Sequence, residues 1–255
     1  MRVAVLGGTG VLGRHVVQEA RARGFDVVSL SRGSGVDLVT GDGLAPALHG
    51  ADAAIDVTNV MTVRGGPAVR FFESTARNLQ SAATREGVAH LVVVSIVGVD
   101  RMGRFGYYGA KVTQERLHLD GPVDATILRA TQFHEFPGQI LSRSTFGPVA
   151  VVPALWVQTV AARSVAAALI DAAASGPFRG RLPDVAGPAP AKDLPALARA
   201  VLERTGRRSS VLPVPVPGAM GRAVRAGALL PAADGLLVGP TFEEWLAGPD
   251  GPASA

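Results

Sequence analysis

Both tyrosines of this 255-residue chain, Tyr107 and Tyr108, stand just before Lys111, one of only two lysines. If residues 105–115 form a helix, Tyr107 and Lys111 share one face, because residues four apart lie one turn above each other. A phenol has a pKa near 10, and a neighbouring ammonium lowers that value by stabilising the phenolate. The pair therefore predicts that Lys111 lowers the pKa of Tyr107 and makes it a usable acid, with Tyr108 left open as the alternative.

A serine precedes this pair at a spacing that suits the same chemistry. The segment 90–95, HLVVVS, predicts a strand ending at Ser95. The carboxyl ends of parallel strands form the edge where open α/β sheets bind ligands. Ser95 is predicted to hold a substrate carbonyl oxygen while Tyr107 donates a proton to it and hydride arrives from a nicotinamide. Lys111 is also predicted to hydrogen-bond the nicotinamide ribose.

A glycine-rich segment at the start of the chain predicts the cofactor site. The sequence VAVLGGTGVLGRHVV places Gly7, Gly10 and Gly13 between an apolar strand and an amphipathic helix. Glycines at this spacing allow a tight turn and a close backbone approach to a pyrophosphate, whose charge sits at the helix N-terminus. We therefore expect the loop to bind a dinucleotide through Gly7, Thr9, Gly10, Val11, Leu12 and Gly13.

The residues after the second predicted strand favour one of the two nicotinamide dinucleotides. An acid about 20 residues beyond the glycine loop binds the ribose hydroxyls of NAD. This sequence instead has Ser31 and Arg32. A planar guanidinium pairs well with a 2′-phosphate, so we expect NADP(H) to be preferred over NAD(H). Asp42, beside Gly43, is a candidate for the adenine amino group, with an ordinary turn residue as the alternative.

The pattern of short apolar runs and helical segments predicts the fold class. Apolar runs that alternate with helices indicate a Rossmann-type, doubly wound parallel α/β sheet. We expect an NAD(P)-binding domain over 1–147 and a small, mainly substrate-binding lobe over 148–255, with the helix 162–175 packed on the first domain. The predicted strands of the first domain are 2–7, 26–31, 36–40, 51–58, 90–95 and 124–130, and its clearest helices are 11–24 and 67–87.

Composition excludes several other classes of protein. The chain has no cysteine, so disulfides and thiolate metal sites are excluded, and its five histidines lack the spacing of a helical metal site. The net charge of +4 is spread along the chain without a basic block, which argues against nucleic-acid binding. No signal peptide or clean membrane span is visible. We expect a cytoplasmic monomer or homodimer that binds a small molecule, with no metal, membrane or nucleic-acid partner.

Four segments of the chain, GGTGVLG, VVVSIVGVD, YYGAK and ILRATQFHEF, resemble the short-chain dehydrogenase/reductase superfamily, in its atypical, NmrA-like branch. The resemblance implies that Ser95, Tyr107 and Lys111 are the family's Ser, Tyr and Lys, and that Asn78 is its helix asparagine. It also implies that the nicotinamide lies against Ala130–Phe133, and that two residues after the fourth predicted strand face the cofactor. The residues added by the resemblance are Thr58, Asn59, Ala130, Thr131 and Phe133.

Residues at the ends of the later strands are the candidate substrate site. They are Met61, Phe105, Gln132, His134 and Phe136, of which His134 is either a second acid or anchor or a structural histidine. The predicted function is an NADPH-dependent ketoreductase or dehydrogenase acting on a small, fairly apolar carbonyl or hydroxyl compound, for example in secondary metabolism. The alternatives are an NADP-binding sensor without catalysis and an epimerase or dehydratase with tightly held cofactor.

Overall fold

The structure is a computed structural model that describes residues 1–60, 62 and 65–253. The chain divides into two compact units, the first built from Met1–Arg129 with Arg163–Pro183 and the second from Ala130–Ala162 with Asp184–Ala255. The boundary expected at residue 147 differs from this division, because the chain passes into the second unit directly after Arg129 and returns once to the first.

The first unit is built on a parallel sheet, as the alternating pattern predicts. The elements are β1 (Arg2–Leu6), α1 (Val11–Ala22), β2 (Asp26–Leu30), α2 (Leu44–Leu48), β3 (Ala53–Asp56), α3 (Gly65–Glu86), β4 (His90–Ile96), α4 (Gly106–Leu119) and β5 (Asp124–Ala130). The strands lie side by side in the order β5, β4, β3, β1, β2, and the described ladders β4–β3, β3–β1 and β1–β2 are parallel. Helix α1 packs on β1 and β2, whereas α2, α3 and α4 cover the side chains of the other face. The predicted doubly wound fold is confirmed.

The strand predicted over 36–40 is wrong. Residues 35–43 form a loop, in which the Asp37 carboxylate accepts hydrogen bonds from the backbone amides of Val39 (2.8 Å) and Thr40 (3.3 Å). Such a local bond from an Asp side chain competes with strand pairing and favours a turn. Gly41 and Gly43 on its far side adopt positive φ angles, which an extended strand does not contain. The apolar residues of this segment therefore pack from a loop, with Val36 buried in the core beside α2.

The second unit holds a small sheet packed on two helices. Strand β7 (Val149–Ala154) pairs antiparallel with β6 (Thr145–Phe146) and parallel with β12 (Ser210–Pro215). The buried side chains of β7 pack on α5 (Phe136–Ser144) and α7 (Leu194–Arg204). The other elements are β8 (Trp156–Val157), β10 (Val185–Ala186), β11 (Lys192–Asp193), α8 (Gly218–Arg225), β13 (Leu236–Leu237) and α9 (Phe242–Ala247), while α6 (Ala162–Ala174) and β9 (Gly180–Arg181) return the chain to the first unit.

The turn between β1 and α1 depends on a close approach of backbone to backbone. The amide of Gly10 donates to the Gly7 carbonyl at 2.9 Å, and Gly7 itself adopts a φ of +79°. A Cβ atom on Gly13 would lie 2.1 Å from the Gly7 oxygen and 2.7 Å from the Cα of Gly8. Because those neighbours are backbone atoms, they cannot turn away, and only glycine lets α1 begin so near the end of β1.

We expect Gly13→Ala to lower the free energy of unfolding by about 1–3 kcal/mol, the usual cost of forcing atoms into a packed site. The matched control is Gly138→Ala in α5, where an added Cβ meets nothing within 4 Å. Denaturant unfolding of both variants checks this. Equal stabilities for the two would contradict the steric argument.

Candidate active site

The glycine loop forms an open helix N-terminus at the carboxyl edge of the sheet. Gly10 caps α1 with its backbone alone, and within the part of the chain that the structure describes this N-terminus has no side-chain cap. The amides of the first turn and the helix dipole favour an anion. From β1 the chain moves to β2 on one side and later to β3 on the other, so this loop lies where the strand order reverses. Thr58, after β3, packs against Gly7 at 3.3 Å from the position of its missing Cβ. The loop thus fits a dinucleotide pyrophosphate.

Ser31 and Arg32 follow β2 in a short 3₁₀ turn. The Ser31 backbone is tied to Ser34, whose hydroxyl donates to the Ser31 carbonyl at 2.8 Å and accepts from its amide at 2.9 Å. The Arg32 side chain is exposed, and its guanidinium has no ion pair or hydrogen bond within residues 1–60, 62 and 65–253. The turn therefore presents a cation with all of its donors available to an anion from outside the chain.

The neighbouring loop uses its polar side chains on itself. The Asp42 carboxylate accepts from the Thr40 hydroxyl at 2.7 Å. Gly43 has a φ of +69° and begins α2, and a side chain there would strike the Gly35 carbonyl. The amide of Asn78, in α3, donates to the carbonyls of residues 38 and 39 at 3.0 and 2.9 Å. The side-chain amide of Asn78, which the resemblance matches to the family's helix asparagine, thus holds this loop in place.

Tyr107 lies in the first turn of α4, and its hydroxyl donates to the Asn59 side-chain oxygen at 2.7 Å. Asn59 directly follows Thr58, so the phenol stands beside the residue that packs on the glycine loop. Burial raises the pKa of Tyr107, and Tyr108 raises it further, while the bond to Asn59 opposes the rise. Lys111 is not among the causes, and the expected lowering of this pKa by Lys111 is wrong. Burial raises the pKa of Tyr108 as well, to about 12.

Lys111 extends into the interior, where only 3% of it is exposed. Its ammonium donates to the Val94 carbonyl at 2.9 Å and to the Gln114 side-chain oxygen at 2.5 Å. It also lies over the Phe72 ring, 4.8 Å from the centroid. Helical spacing places Tyr107 and Lys111 on one face, but each side chain finds its own partners, so a shared face does not bring phenol and ammonium into contact.

A second residue joins this ammonium to a buried carboxylate. The Gln114 amide donates to one Asp56 oxygen at 2.9 Å, and the other Asp56 oxygen accepts from the Thr58 amide (2.9 Å) and hydroxyl (2.6 Å). His118 lies 3.8 Å from the same carboxylate. Sequence reasoning missed Asp56 and Gln114, and the available signals were a carboxylate at the end of a buried strand and an amide three residues after Lys111.

The hydrogen-bonded group of Lys111, Gln114 and Asp56, with His118 beside it, is buried, and burial shifts the pKa values of its two basic side chains. Burial lowers the pKa of Lys111 to about 8, although Asp56 and Glu115 favour its charged form. Burial likewise lowers the pKa of His118 to about 4, against the attraction of Asp56, so this histidine is neutral at physiological pH. At neutral pH the interior of the first unit therefore holds an ammonium and a carboxylate bridged by an amide.

Ser95 is buried beside a second ionic cluster. The Glu115 carboxylate accepts two hydrogen bonds from Arg129, at 2.9 and 2.8 Å, and one from Arg181 at 3.0 Å. Burial raises the pKa of Glu115, but these arginines and the nearby Ser95 hydroxyl lower it overall. The hydroxyl makes no hydrogen bond of normal geometry in the described part of the chain. The structure places Ser95 near Glu115 and does not link it to Tyr107 or Lys111.

The remaining predicted cofactor residues lie in the second unit. Ala130 and Thr131 are buried, and the Thr131 amide donates to the Val185 carbonyl at 2.9 Å. The Thr131 hydroxyl and the Gln132 amide oxygen are buried without a hydrogen-bond partner among the residues that the structure describes. Buried polar atoms normally have partners, so these two orphaned atoms suit a segment that binds a polar ligand. Phe133, half-buried, bridges to Val160.

The contacts of His134 favour the second of its two readings, a structural histidine, over a substrate acid or anchor. One ring nitrogen bonds the Thr159 hydroxyl at 2.7 Å and the other the Pro240 carbonyl at 3.1 Å, and the ring packs on Phe242 and Trp245. Burial lowers its pKa. Phe105 and Phe136 are half-buried at the starts of α4 and α5. Met61 lies outside the described residues.

Two classes of site are not found in the described part of the chain. Within residues 1–60, 62 and 65–253, no three His, Asp or Glu side chains come together as metal ligands. None of the described helices is long and apolar enough to cross a lipid bilayer.

Comparison with known proteins places most of the chain in a family that binds NAD(P)H. The family model described as NAD(P)H-binding matches residues 7–175. The photosystem II assembly factor Ycf39 of Synechocystis sp. is 29% identical over 147 residues, which are 52% of this chain and 45% of the relative. The chain thus matches less than half of that protein's length.

Solved structures share the fold across nearly the whole chain. MoeE5 in complex with UDP-glucuronic acid and NAD superposes with a TM-score of 0.72, at 18% identity, over 97% of both chains. The dTDP-4-dehydrorhamnose reductase of Bacillus anthracis in complex with NADP gives 0.71, at 16% identity, over 96% of both. Identities this low show a common fold alone.

The enclosed ammonium makes a prediction about stability and pH. An ordinary lysine has a pKa of 10.5, whereas Lys111 releases its proton near pH 8 in the folded protein. Between these values the unfolded chain binds more protons, so stability rises with pH there. We expect the free energy of unfolding, wild type minus Lys111→Met, to increase by about 2 kcal/mol from about pH 7.5 to about pH 9.5.

Denaturant unfolding at the two pH values measures this difference. The matched control is Lys192→Met, which removes the half-buried amine that pairs with Glu243, and it should not show the rise. A pH-independent difference for Lys111→Met would mean that the ammonium is not enclosed as described.

Proposed function

Because this chain belongs to the NAD(P)H-binding family, within the atypical short-chain dehydrogenase/reductase superfamily, we propose that it is an NADPH-dependent oxidoreductase. The proposed reaction is reduction of a carbonyl on a small, fairly apolar molecule. The single observation that carries the proposal is the hydrogen bond of the Tyr107 phenol to Asn59, which holds an acid next to the residues that pack on the glycine loop.

The protonated state of Tyr107 at neutral pH suits carbonyl reduction. Burial raises the pKa of Tyr107, so the phenol keeps its proton at neutral pH but is a weaker acid than an ordinary phenol. In this proposal its proton therefore moves to the strongly basic oxygen that develops as hydride reaches the carbonyl carbon, whereas alcohol oxidation would need the phenolate as a base. NADPH, when bound at the glycine loop, would supply the hydride for the carbonyl carbon. The Tyr107 phenol would give its proton to the carbonyl oxygen, which completes the alcohol, and would regain a proton from solvent.

The other residues take positioning roles in this proposal. Asn59 orients the phenol by accepting its hydrogen bond in the resting protein. An ammonium has three donors, of which Lys111 uses two on Val94 and Gln114. We assign its third donor to the nicotinamide ribose. We propose Ser95 as the carbonyl-holding group, since its buried hydroxyl makes no hydrogen bond of normal geometry to another described residue.

A second candidate function is an NADP-binding regulator without catalysis. The enclosure of Lys111, with 3% exposure, favours it, because an ammonium bound to protein groups is less available to a substrate complex. The Synechocystis relative is named a photosystem II assembly factor, which describes a role in assembly and not a reaction. Consumption of NADPH with a panel of apolar ketones separates the two candidates, since a regulator binds the cofactor and leaves it unchanged.

We expect Tyr107→Phe to lower the rate of carbonyl reduction by about 10²–10⁴-fold, the contribution of a positioned acid, while NADPH affinity changes little. Tyr108→Phe is the matched control, because the two rings pack edge to face 5.8 Å apart and both residues are half-buried. Steady-state kinetics and cofactor titration measure both variants. A larger loss of reduction rate in Tyr108→Phe would mean that Tyr108 is the proton donor. Normal turnover by both variants would contradict the proposed role of a tyrosine as the acid.

We expect Arg32→Ala to weaken NADPH binding by about 10- to 100-fold, the value of a hydrogen bond to a charged group, and to leave NADH binding unchanged. The reason is that only NADPH carries the 2′-phosphate that the free guanidinium can pair with. Arg116→Ala, which removes another exposed arginine from α4, is the control. Equal losses for the two cofactors would show that Arg32 does not contact the 2′-phosphate.

A further inference from the structure

One face of the three-stranded sheet in the second unit is apolar and open to solvent. Along β7 the side chains alternate, with Ala150 and Val152 buried against α5 and α7 and the intervening residues pointing the other way. Register partners across the strands share that second side, because directly paired residues point to the same face. The outer face defined in this way has one polar member, Ser210, and six apolar ones, which are Phe146, Val149, Val151, Pro153, Leu212 and Val214.

This outer face breaks the usual pattern of a sheet with one solvated side. Such sheets alternate apolar residues toward the core with polar residues toward water. Here Phe146 is 69% exposed, Leu212 51% and Val214 39%. Contiguous exposed apolar residues usually mark a binding surface, because leaving them in water is unfavourable.

Two arginines lie at one end of the outer face. Phe146 and Ser210 both pair with Val149, so the turn after β6 and the start of β12 lie at the same end of the sheet. Arg207 and Arg208 lead into β12, and both are exposed. Neither has an ion pair or a side-chain hydrogen bond to another described residue.

An open groove of about 480 Å³ adjoins this end of the sheet, and its lining contains one more arginine. Glu203 is the one acid in that lining. The end of the sheet at Phe146 therefore carries an excess of positive charge next to exposed apolar side chains. The residues that line the groove are Arg199, Leu202, Glu203, Gly206, Arg207, Arg208, Ser209 and Ser210.

The chemistry of this surface selects among occupants. An added strand is disfavoured, because Pro213 and Pro215 remove backbone donors from the edge strand β12. A second copy of the chain would cover the apolar side chains but brings arginines and no acidic counterpart from this face. A bilayer rich in anionic lipid supplies both acyl chains for Phe146 and phosphates for the arginines.

We propose that the outer face, with Arg207 and Arg208, docks the protein on the surface of an anionic lipid bilayer. Phe146 enters the boundary between headgroups and acyl chains, and the arginines pair with lipid phosphates. The contact is peripheral, and it departs from the expectation of no membrane partner.

Co-sedimentation of the full chain with vesicles tests this. We expect binding to phosphatidylcholine vesicles that contain about a quarter phosphatidylglycerol, weaker binding in high salt, and none to phosphatidylcholine alone. Phe146→Ser with Leu212→Ser, and separately Arg207→Ala with Arg208→Ala, should each reduce the affinity on the order of 10-fold. In the variant Phe146→Trp, the emission of the introduced tryptophan should shift to the blue on adding the anionic vesicles.

The matched controls change similar residues elsewhere on the chain. Phe178→Ser replaces a phenylalanine that is 48% exposed in the first unit, and Arg116→Ala removes an exposed arginine; both should bind vesicles like the wild type. Circular dichroism of each variant establishes that it is folded. The proposal is overturned if the wild-type protein does not bind the anionic vesicles, or if the control variants lose as much affinity as the face variants. A wild-type protein that does not bind vesicles but forms a dimer, which Phe146→Ser dissociates, would assign the face to a second copy of the chain instead.

Discussion

A charged amine enclosed in the first unit is the constraint that orders the rest of the candidate site. An ammonium can remain inside a protein only if its donors are satisfied and a counter-charge lies near. Lys111 meets this condition through the Val94 carbonyl and through Gln114, which connects it to Asp56. These bonds fix α4 against β3 and β4, and the first turn of α4 then carries Tyr107 to Asn59. The position of the phenol is therefore a consequence of where the ammonium is held.

Because Lys111 is enclosed, its ammonium and the Tyr107 phenol do not act on each other, although the two residues lie on the same face of α4. Lys111 reaches toward β4, while Tyr107 reaches toward the residue after Thr58, so the ammonium does not act on the phenol in the resting protein. Burial instead dominates both groups and favours their neutral forms, which raises the pKa of the phenol and lowers that of the amine. Perturbed groups of this kind are concentrated at functional sites. A protonated phenol beside a nucleotide loop suits a proton donor, which is why reduction is the direction that the proposal favours.

The sequence predicted those features of the first unit that depend on neighbours along the chain. The strands β1 to β5 were visible as short apolar runs, and the glycine loop as a spacing between a strand and a helix. The strand predicted over 36–40 was wrong because the Asp37 carboxylate accepts hydrogen bonds from backbone amides two and three residues later. These bonds favour a turn, although the other four residues of the segment are compatible with a strand. Other roles depended on partners far away along the chain: Asn78 bonds a loop some 40 residues earlier, and His134 bonds Pro240. No local pattern announces such a bond, so their structural use could not be separated from a catalytic one.

In the second unit, the sequence could not show which side chains of β12 are exposed to solvent. Alternating prolines in VLPVPVP predict an extended segment, and β12 is extended, but periodicity cannot say which side chains meet water in an edge strand, where five of six residues are exposed. Register supplies the answer, because pairing with β7 places Leu212 beside Val151 and Val214 beside Pro153 on the side away from α7. An apolar strand is consistent with burial, yet this one faces outward next to unpaired arginines. The face of this sheet toward α5 and α7 is apolar and buried in the usual way, but the opposite face is apolar as well and exposed. A surface that is covered when the protein binds a partner explains these exposed apolar side chains more simply than a defect of folding.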